Sequence, residues 1–307
     1  MITISQLTPT EHAACRDELP GGSSVGSSEA FQQVWVANGG RPIVFAAYED
    51  DKLAATLAAV EFGHGPLRRV QAMPDGLYAD PLVANECLGR SGLILEALLS
   101  YLRDNYARVH ITDFDGDLPR PSGFDLVEQA TIVVPVADPD WRPADRKLGQ
   151  QIRKAIREER RAVDFDAACH MEPFLMLVAA TSERLGREFY STDFFQRLAR
   201  AAAEDDRIVW KWFEHDGNPV SSHIFLVHRD VFLHWHAFFD PERSHLQPNK
   251  FIPFQVAGGL VDRGIRMLNL GATPGDAPGV EEYKNKWGGR PHHYRTLVSR
   301  RGLGKLM

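Results

Sequence analysis

The stretch MLNLGATPGDAPGVEEYKNKWGG, Met267 to Gly289, decides how the rest of the chain is read. Its first residues are apolar and strand-like. A Gly- and Pro-rich loop comes next, and then an amphipathic helix that carries Tyr283, Lys284 and Trp287 and stops at Gly288-Gly289. A strand running into a glycine loop brings main-chain amides beside a bound group, and a Lys one turn into the next helix reaches back over the same place.

Working outward, the C-terminal half opens with STDFFQRLARAAAEDD. Phe194, Phe195, Leu198, Ala201 and Ala202 recur there at helical spacing behind a Ser191-Thr192-Asp193 start signal. Three strand-like runs come next, parted by His215-Asp216-Gly217-Asn218 and Arg229-Asp230, which predicts an antiparallel meander. A helix from about Lys250 to Arg263, ended by Gly264, leads into the strand IRMLNLG, and YRTLVSR supplies a last strand. The N-terminal half repeats this plan more loosely: helix SSEAFQQVWVA, a hairpin turning at Glu49-Asp50-Asp51, helix SGLILEALLSYLRDNY and strand RVHITDF. Two copies of one unit in tandem is the economical inference. The Pro-rich segment Ala137 to Arg146 reads as their joint. The meander turns are too short for parallel crossovers, so the fold class is α+β, with a mixed, largely antiparallel sheet flanked by helices.

Composition bounds the function. The chain has 307 residues, enough for two domains of about 150 each. With 44% hydrophobic and 25% charged residues it has an ordinary globular composition. A net charge of -6 offers no general attraction to DNA or to an anionic membrane. The first twenty residues lack a basic leader and a secretory apolar core, and no run of about 18 apolar residues spans a bilayer, so a cytoplasmic location is expected. Cys15, Cys87 and Cys169 are odd in number and far apart, unlike a disulfide framework or a Cys-x-x-Cys metal site.

The closing phrase, with its Leu270-Gly271 strand end, aromatic-Lys pair and Trp287-Gly288, resembles the end of Fem-type (FemAB-like) proteins of the GNAT acyltransferase superfamily. The resemblance is strongest from Leu148 to Thr296. It implies tandem duplicated GNAT-like domains: residues 1–140, a connecting segment 141–163 with a basic helix, and 164–307 carrying the Tyr-Lys motif. It also implies an N-acyltransferase that moves an acyl group from an activated donor to an amine of a small molecule or a cell-envelope or polysaccharide-type precursor. Acyl-CoA is the favoured co-substrate, because the long helical-hairpin arm of several tRNA-dependent relatives is missing. Aminoacyl-tRNA is the alternative donor. The usual GNAT fingerprint, Arg or Gln followed by Gly-x-Gly, is absent, and Asn269 stands where many relatives have Asp. Those departures keep a non-catalytic ligand-binding protein as a further alternative.

Within that frame each motif carries a role. DRKLGQQIRKAIREERRAV, Asp145 to Val163, has an apolar face and seven Lys or Arg against two Glu between Arg146 and Arg161. It reads either as a solvated connecting helix or as a basic rim for an anionic donor, and the resemblance selects Arg153, Lys154 and Arg157. Strand alternation in VFLHWHAFF puts His234 and His236 on one face and Trp235 on the other. Those imidazoles line a cleft or begin a zinc site, which needs a third ligand such as His223 or His228; no metal is expected. Pro248, Asn249 and Lys250 match the helix start that holds a pyrophosphate or carboxylate. Lys284 is expected to stabilise charge on the reacting carbonyl or the acceptor, helped by amides near Gly271. His236 is the candidate base, because an imidazole titrates near neutrality. Tyr283, Trp287 and Asn269 line the same place, and Tyr78 and Asp80 in MPDGLYADPLVA are acceptor contacts from the first domain. Glu281 and Glu282 read as partners of the helix dipole.

Overall fold

The computed structural model describes residues 1–15, 19, 24–138, 140–259, 261–272 and 278–302. In chain order it has β1 (Ile2–Leu7), α1 (Pro9–Cys15), α2 (Glu29–Val34), β2 (Arg41–Glu49), β3 (Lys52–Phe62), β4 (Arg69–Ala72), β5 (Leu82–Val83), α3 (Ser91–Asn105), β6 (Arg108–Asp113) and β7 (Asp125–Pro135). After these come α4 (Arg146–Arg157), β8 (Val163–Asp164), α5 (Ala167–Leu185), α6 (Thr192–Glu204), β9 (Ile208–His215), β10 (Asn218–His228), β11 (Val231–Phe239), α7 (Pro248–Gly258), β12 (Met267–Asn269), α8 (Pro278–Lys286) and β13 (Arg290–Arg300).

These elements form two compact units, Met1–Gln129 with His293–Met307, and Ala130–His292. In the first, β1, β2, β3 and β4 pair antiparallel in sequence, β4 runs parallel to β6, and β13 closes antiparallel on β6. In the second, β8, β9, β10 and β11 pair antiparallel, β11 runs parallel to β12, and β7 closes antiparallel on β12. The two strand plans are the same, which makes the duplication concrete.

The unit boundaries fall elsewhere than the expected 140 and 163. Each parallel pair is completed on its far side by an antiparallel strand. The second unit takes that strand from the chain before it, β7, and the first unit takes it from the chain's end, β13. Sequence reading assigns YRTLVSR to the second half because it adjoins that half directly; its hydrogen bonds place it in the first.

Local signals explain most elements. Asp50 and Asp51 adopt φ of 49° and 63°, the paired left-handed geometry of a two-residue hairpin turn. Ser191 caps α6, accepting a hydrogen bond from Phe194 N at 3.3 Å. The helix expected from Lys250 to Arg263 begins earlier, at Pro248, and ends at Gly258, with a separate short 3-10 turn at Val261–Arg263.

Each unit has its own core. In the first, Ile94, Leu95, Leu98, Leu99 and Leu102 of α3 are buried against Phe45, Leu57, Val109, Ile111 and Leu297 of the sheet. In the second, Leu148, Ile152 and Ala155 of α4 and Phe251, Ile252 and Val256 of α7 join Phe213, Phe225, Phe232, Leu268 and Trp287. Each such side chain contributes about 1.5–3 kcal/mol by leaving water.

Candidate active site

The second unit's parallel pair is short. Val231, Phe232 and Leu233 of β11 are matched with Met267, Leu268 and Asn269 of β12, and the ladder then ends. β11 continues for six more residues, and its ring-bearing segment His234–Ala237 passes from buried to half-buried where the neighbour is lost. Beyond Leu233 and Asn269 the two strands share no ladder pairing among the described residues, although Gly271 still lies against His234 O.

At that point β11 carries a bulge. Ile224 of β10 faces His236 and Phe225 faces His234, so Trp235 is the inserted residue. The consequence corrects the sequence-based face assignment. His234 stacks on Phe225 at 4.5 Å and on His223 at 5.0 Å, on the face where Phe225 and Phe232 meet α4 and α7. His236 lies on the other face, with Phe189 at 6.0 Å and Phe238 at 5.8 Å. Strict alternation fails because one extra residue inverts every side chain beyond it. The two imidazoles therefore cannot close on one metal ion, and no group of three His, Cys, Asp or Glu side chains arranged for a metal occurs among the described residues.

The imidazole pair His223 Nδ1 and His234 Nε2 are 3.0 Å apart. One nitrogen donates and the other accepts, so the accepting ring is neutral. Burial, reinforced by His236 and Lys284, pushes His234 down to about 3, and burial with His234 beside it holds His223 well below the usual imidazole value.

Lys284 is completely buried. Its ammonium donates to the carbonyl oxygens of Gly271 and, at 3.0 Å, Ala272, and lies 3.4 Å from Thr131 Oγ1. Asn269, also fully buried, accepts from Gly271 N through Oδ1 at 3.0 Å, and Thr131 Oγ1 donates to Gly271 O at 2.9 Å. The residues expected to meet a substrate are thus tied to one another at the end of β12. Gly271 has φ of +85° and packs where a Cβ would lie 3.3 Å from His234 O, so the lock holds the β12 end against β11. Desolvation pushes Lys284 down to about 8. Residues 273–277, most of the expected glycine loop, lie outside the described residues.

Neighbours of Lys284 on α8 reach elsewhere. Tyr283 donates from its hydroxyl to Asn249 O at 2.5 Å, pinning α8 to the start of α7. Burial raises the Tyr283 phenol. Trp287 is fully buried and stacks on Trp141 at 6.0 Å, so it serves the core rather than a ligand. Gly289 is obligatory beside it, since a Cβ there would meet Ile132 Cγ2 at 2.2 Å.

The start of α7 is cationic. Pro248 is buried, and half-buried Lys250 reaches Gln151 Oε1 of α4 at 2.9 Å. Burial, with Lys286 and Lys147 nearby, lowers the Lys250 amine. α4 begins at Asp145, whose carboxylate accepts from Leu148 N at 2.6 Å. Its exposed side opens on a groove of about 760 Å³ lined by Lys147, Gln150, Gln151, Arg153, Lys154 and Arg157. Tyr78 and Asp80, in the other unit, are 6% and 4% exposed, and Tyr78 stacks on Phe114 at 4.1 Å. As placed they present no surface to an acceptor. The reading from sequence passed over Thr131, Gln151 and the Trp235 bulge, and named His223 only as a possible third metal ligand; only the spacing of Lys284 one turn before Trp287, on one helix face, signals that the Lys is buried.

Residues 145–285 match the family model described as acetyltransferase (GNAT) domain. The chain superposes on the crystal structure of FemX with a TM-score of 0.70 at 13% identity, over 95% of this chain and 96% of that one. It is also similar to the C-terminal domain of a putative lysylphosphatidylglycerol synthetase from Agrobacterium fabrum, with a TM-score of 0.63 at 10% identity over 97% and 95%. A tandem GNAT protein from the clavulanic acid biosynthesis pathway gives 0.55 at 11% identity over 98% and 99%. No curated protein sequence matches. Residues 145–285 thus carry the match to the GNAT acetyltransferase domain, and the chain as a whole shares the fold of FemX and of the tandem GNAT protein. Among the described residues no helix is long and apolar enough to cross a membrane.

Proposed function

We propose that the protein is an N-acyltransferase whose chemistry occurs at the parted β11 and β12 strands, with an acyl-CoA thioester as donor and an amine of a cell-envelope or polysaccharide-type precursor as acceptor. The observation that carries this reading is the loss of pairing after Leu233 and Asn269, coincident with the Trp235 bulge. The bulge leaves one imidazole on each face of one strand, and in this reading donor and acceptor approach from opposite sides. The donor's phosphates are met by the start of α7 and by Lys250, Arg153 and Arg157. His236, on the other face, takes the proton from the attacking amine. The neutral His223–His234 pair places no additional charge on the donor face.

Amine attack on a thioester forms the C–N bond and expels the CoA thiolate, and the proton lost by the amine leaves with the thiol. Lys284 and Asn269 act as positioning residues: their bonds to the 269–272 main chain hold the β12 end beside β11. A second donor, aminoacyl-tRNA, is favoured by the cationic groove along α4, which is long enough to track several phosphates, and by the folds shared with FemX and a lysylphosphatidylglycerol synthetase domain.

Thermal-shift titration with acetyl-CoA and with CoA tests the first donor. A saturable rise in melting temperature is expected, reduced in Lys250→Ala. No shift at millimolar ligand, together with acyl transfer that disappears on ribonuclease treatment, would replace CoA by aminoacyl-tRNA.

A further inference from the structure

The acyl-transfer steps leave the His223–His234 pair without a task, yet its geometry is closely held. His223 Nδ1 and His234 Nε2 are 3.0 Å apart, and the two ring planes lie 13° from parallel with their centres 5.0 Å apart. Rings that face each other through nitrogens at this spacing meet edge to edge. His234 also lies on Phe225 at 4.5 Å and 21°, and Phe225 lies on Phe232 at 4.8 Å and 7°. That pile of rings fixes the plane of His234, and His223 fixes its rotation within the plane. Of the four ring nitrogens, two are engaged with each other. His223 is completely buried, and its Nε2 is a buried atom without a hydrogen-bond partner among the described residues. His234 is half-buried; its Nδ1 makes no hydrogen bond among the described residues and is not one of the buried atoms that lack a partner, so it meets solvent. The pair therefore has a single outlet.

The main chain sets where that outlet stands. His234 is the first residue of β11 beyond its last rung with β12, Leu233 to Asn269, and its carbonyl oxygen faces Gly271, where a Cβ would lie 3.3 Å away. Phe225 and Phe232, on the same face, belong to the core that seats α4 and α7, the helices that carry Arg153, Arg157 and Lys250. Burial holds both imidazoles below their ordinary range, so the outlet is a neutral nitrogen near neutral pH. It offers a proton when His223 Nδ1 holds the bridging hydrogen, and a lone pair when His234 Nε2 holds it. A secondary amide presents an N–H and a C=O side by side and satisfies either form; a phosphate, which only accepts, satisfies one. The arm that joins the phosphates of CoA to its sulfur contains secondary amides.

We infer that His234 Nδ1 is a hydrogen-bonding contact for an amide of the donor's arm, and that His223 is the positioning residue that keeps this nitrogen turned outward. The inference rests on the acyl-CoA reading of the donor and names the part of the donor that this face recognises. Its test compares CoA with 3′-phosphoadenosine 5′-diphosphate, the nucleotide half of CoA, which keeps the phosphates and lacks the arm. In full-length wild-type protein isotope-labelled at its histidines, the His234 Nδ1 resonance is expected to move as CoA saturates and to stay in place as the nucleotide half saturates. In isothermal titration His234→Phe, which keeps a ring on Phe225, is expected to bind CoA about fivefold less tightly and the nucleotide half within about twofold of wild type. His223→Leu/His234→Phe removes both polar partners of the buried bond together, and is expected to stay folded and to show the same selective loss. An unmoved Nδ1 resonance at CoA saturation, or variants that weaken both ligands equally or neither, overturns the inference and leaves CoA as the donor. No saturable binding of CoA to the wild-type protein contradicts the donor reading itself, and the inference with it.

Discussion

The two units share a strand plan and differ just beyond the parallel pair. In the second, β11 and β12 part after three residues and the next stretch of β11, His234–Ala237, is half-buried. In the first, β4 and β6 pair for four residues, Arg69–Ala72 with Arg108–Ile111, and the chain then turns back through Met73 and Asp75, both at positive φ. Ala79 N donates to Thr112 O at 2.8 Å, so the very next position of β6 is satisfied by the unit's own main chain. Leu77, Tyr78, Ala79, Asp80 and Leu82 are all buried there. In the second unit β11 runs on past its pairing with β12, whereas in the first the chain after β4 turns back onto β6 with the segment that sequence reading had assigned to an acceptor.

Altering β11 of the second unit should cost far more than altering the segment packed on β6 in the first. His236→Ala is expected to lower kcat by about 10²–10⁴, the usual contribution of a positioned general base, whereas Tyr78→Phe changes it less than about threefold, since the substitution keeps the buried ring. Steady-state acyl transfer at saturating donor checks both. Comparable losses would place the first unit in the chemistry.

The lock at the end of β12 has a pH signature. Lys284 titrates at about 8 in the folded protein and near 10.4 when unfolded, so between those values the unfolded chain binds more protons. Folding stability therefore rises with pH across that window. Relative to the high-pH limit it is lost as pH falls through about 8, by on the order of 3 kcal/mol. Urea denaturation from pH 7 to 10.5 should show this rise in the wild-type protein and its absence in Lys284→Met. That variant is also less stable at pH 10.5, because the carbonyls of Gly271 and Ala272 lose their donor. A flat wild-type profile would mean that the ammonium is better solvated than its burial indicates.

The smallest effect belongs to the groove. Arg153→Gln/Arg157→Gln is expected to raise the donor KM by about tenfold and to weaken its salt dependence, with kcat nearly unchanged. A change in kcat without a change in KM would move those arginines away from the donor.

Much of this fold was legible before the structure because its signals are local. The Asp50-Asp51 hairpin, the Ser191 cap and the periodicity of α3 and α6 each lie within a few residues. The joint and the exchanged strands β7 and β13 were not, because YRTLVSR has the same pattern whichever sheet receives it. The elements around the candidate site were legible only in part. The start of α7 and the basic helix were found, yet the Trp235 bulge has no glycine, proline or break in pattern to announce it, and it reverses the side chains beyond it. Lys284 was singled out and expected to contact a substrate; its three oxygen neighbours come from Thr131 and from Gly271 and Ala272, and the contact with Thr131 spans 153 positions that no local pattern records.

Hydrogen–deuterium exchange of the full chain with and without saturating acetyl-CoA tests the central claim most directly, that only the second unit receives the donor. Protection is expected in residues 145–157, 231–239 and 247–253, with residues 69–84 unchanged. Protection in 69–84 equal to that in 231–239, or protection confined to the first unit, would contradict it.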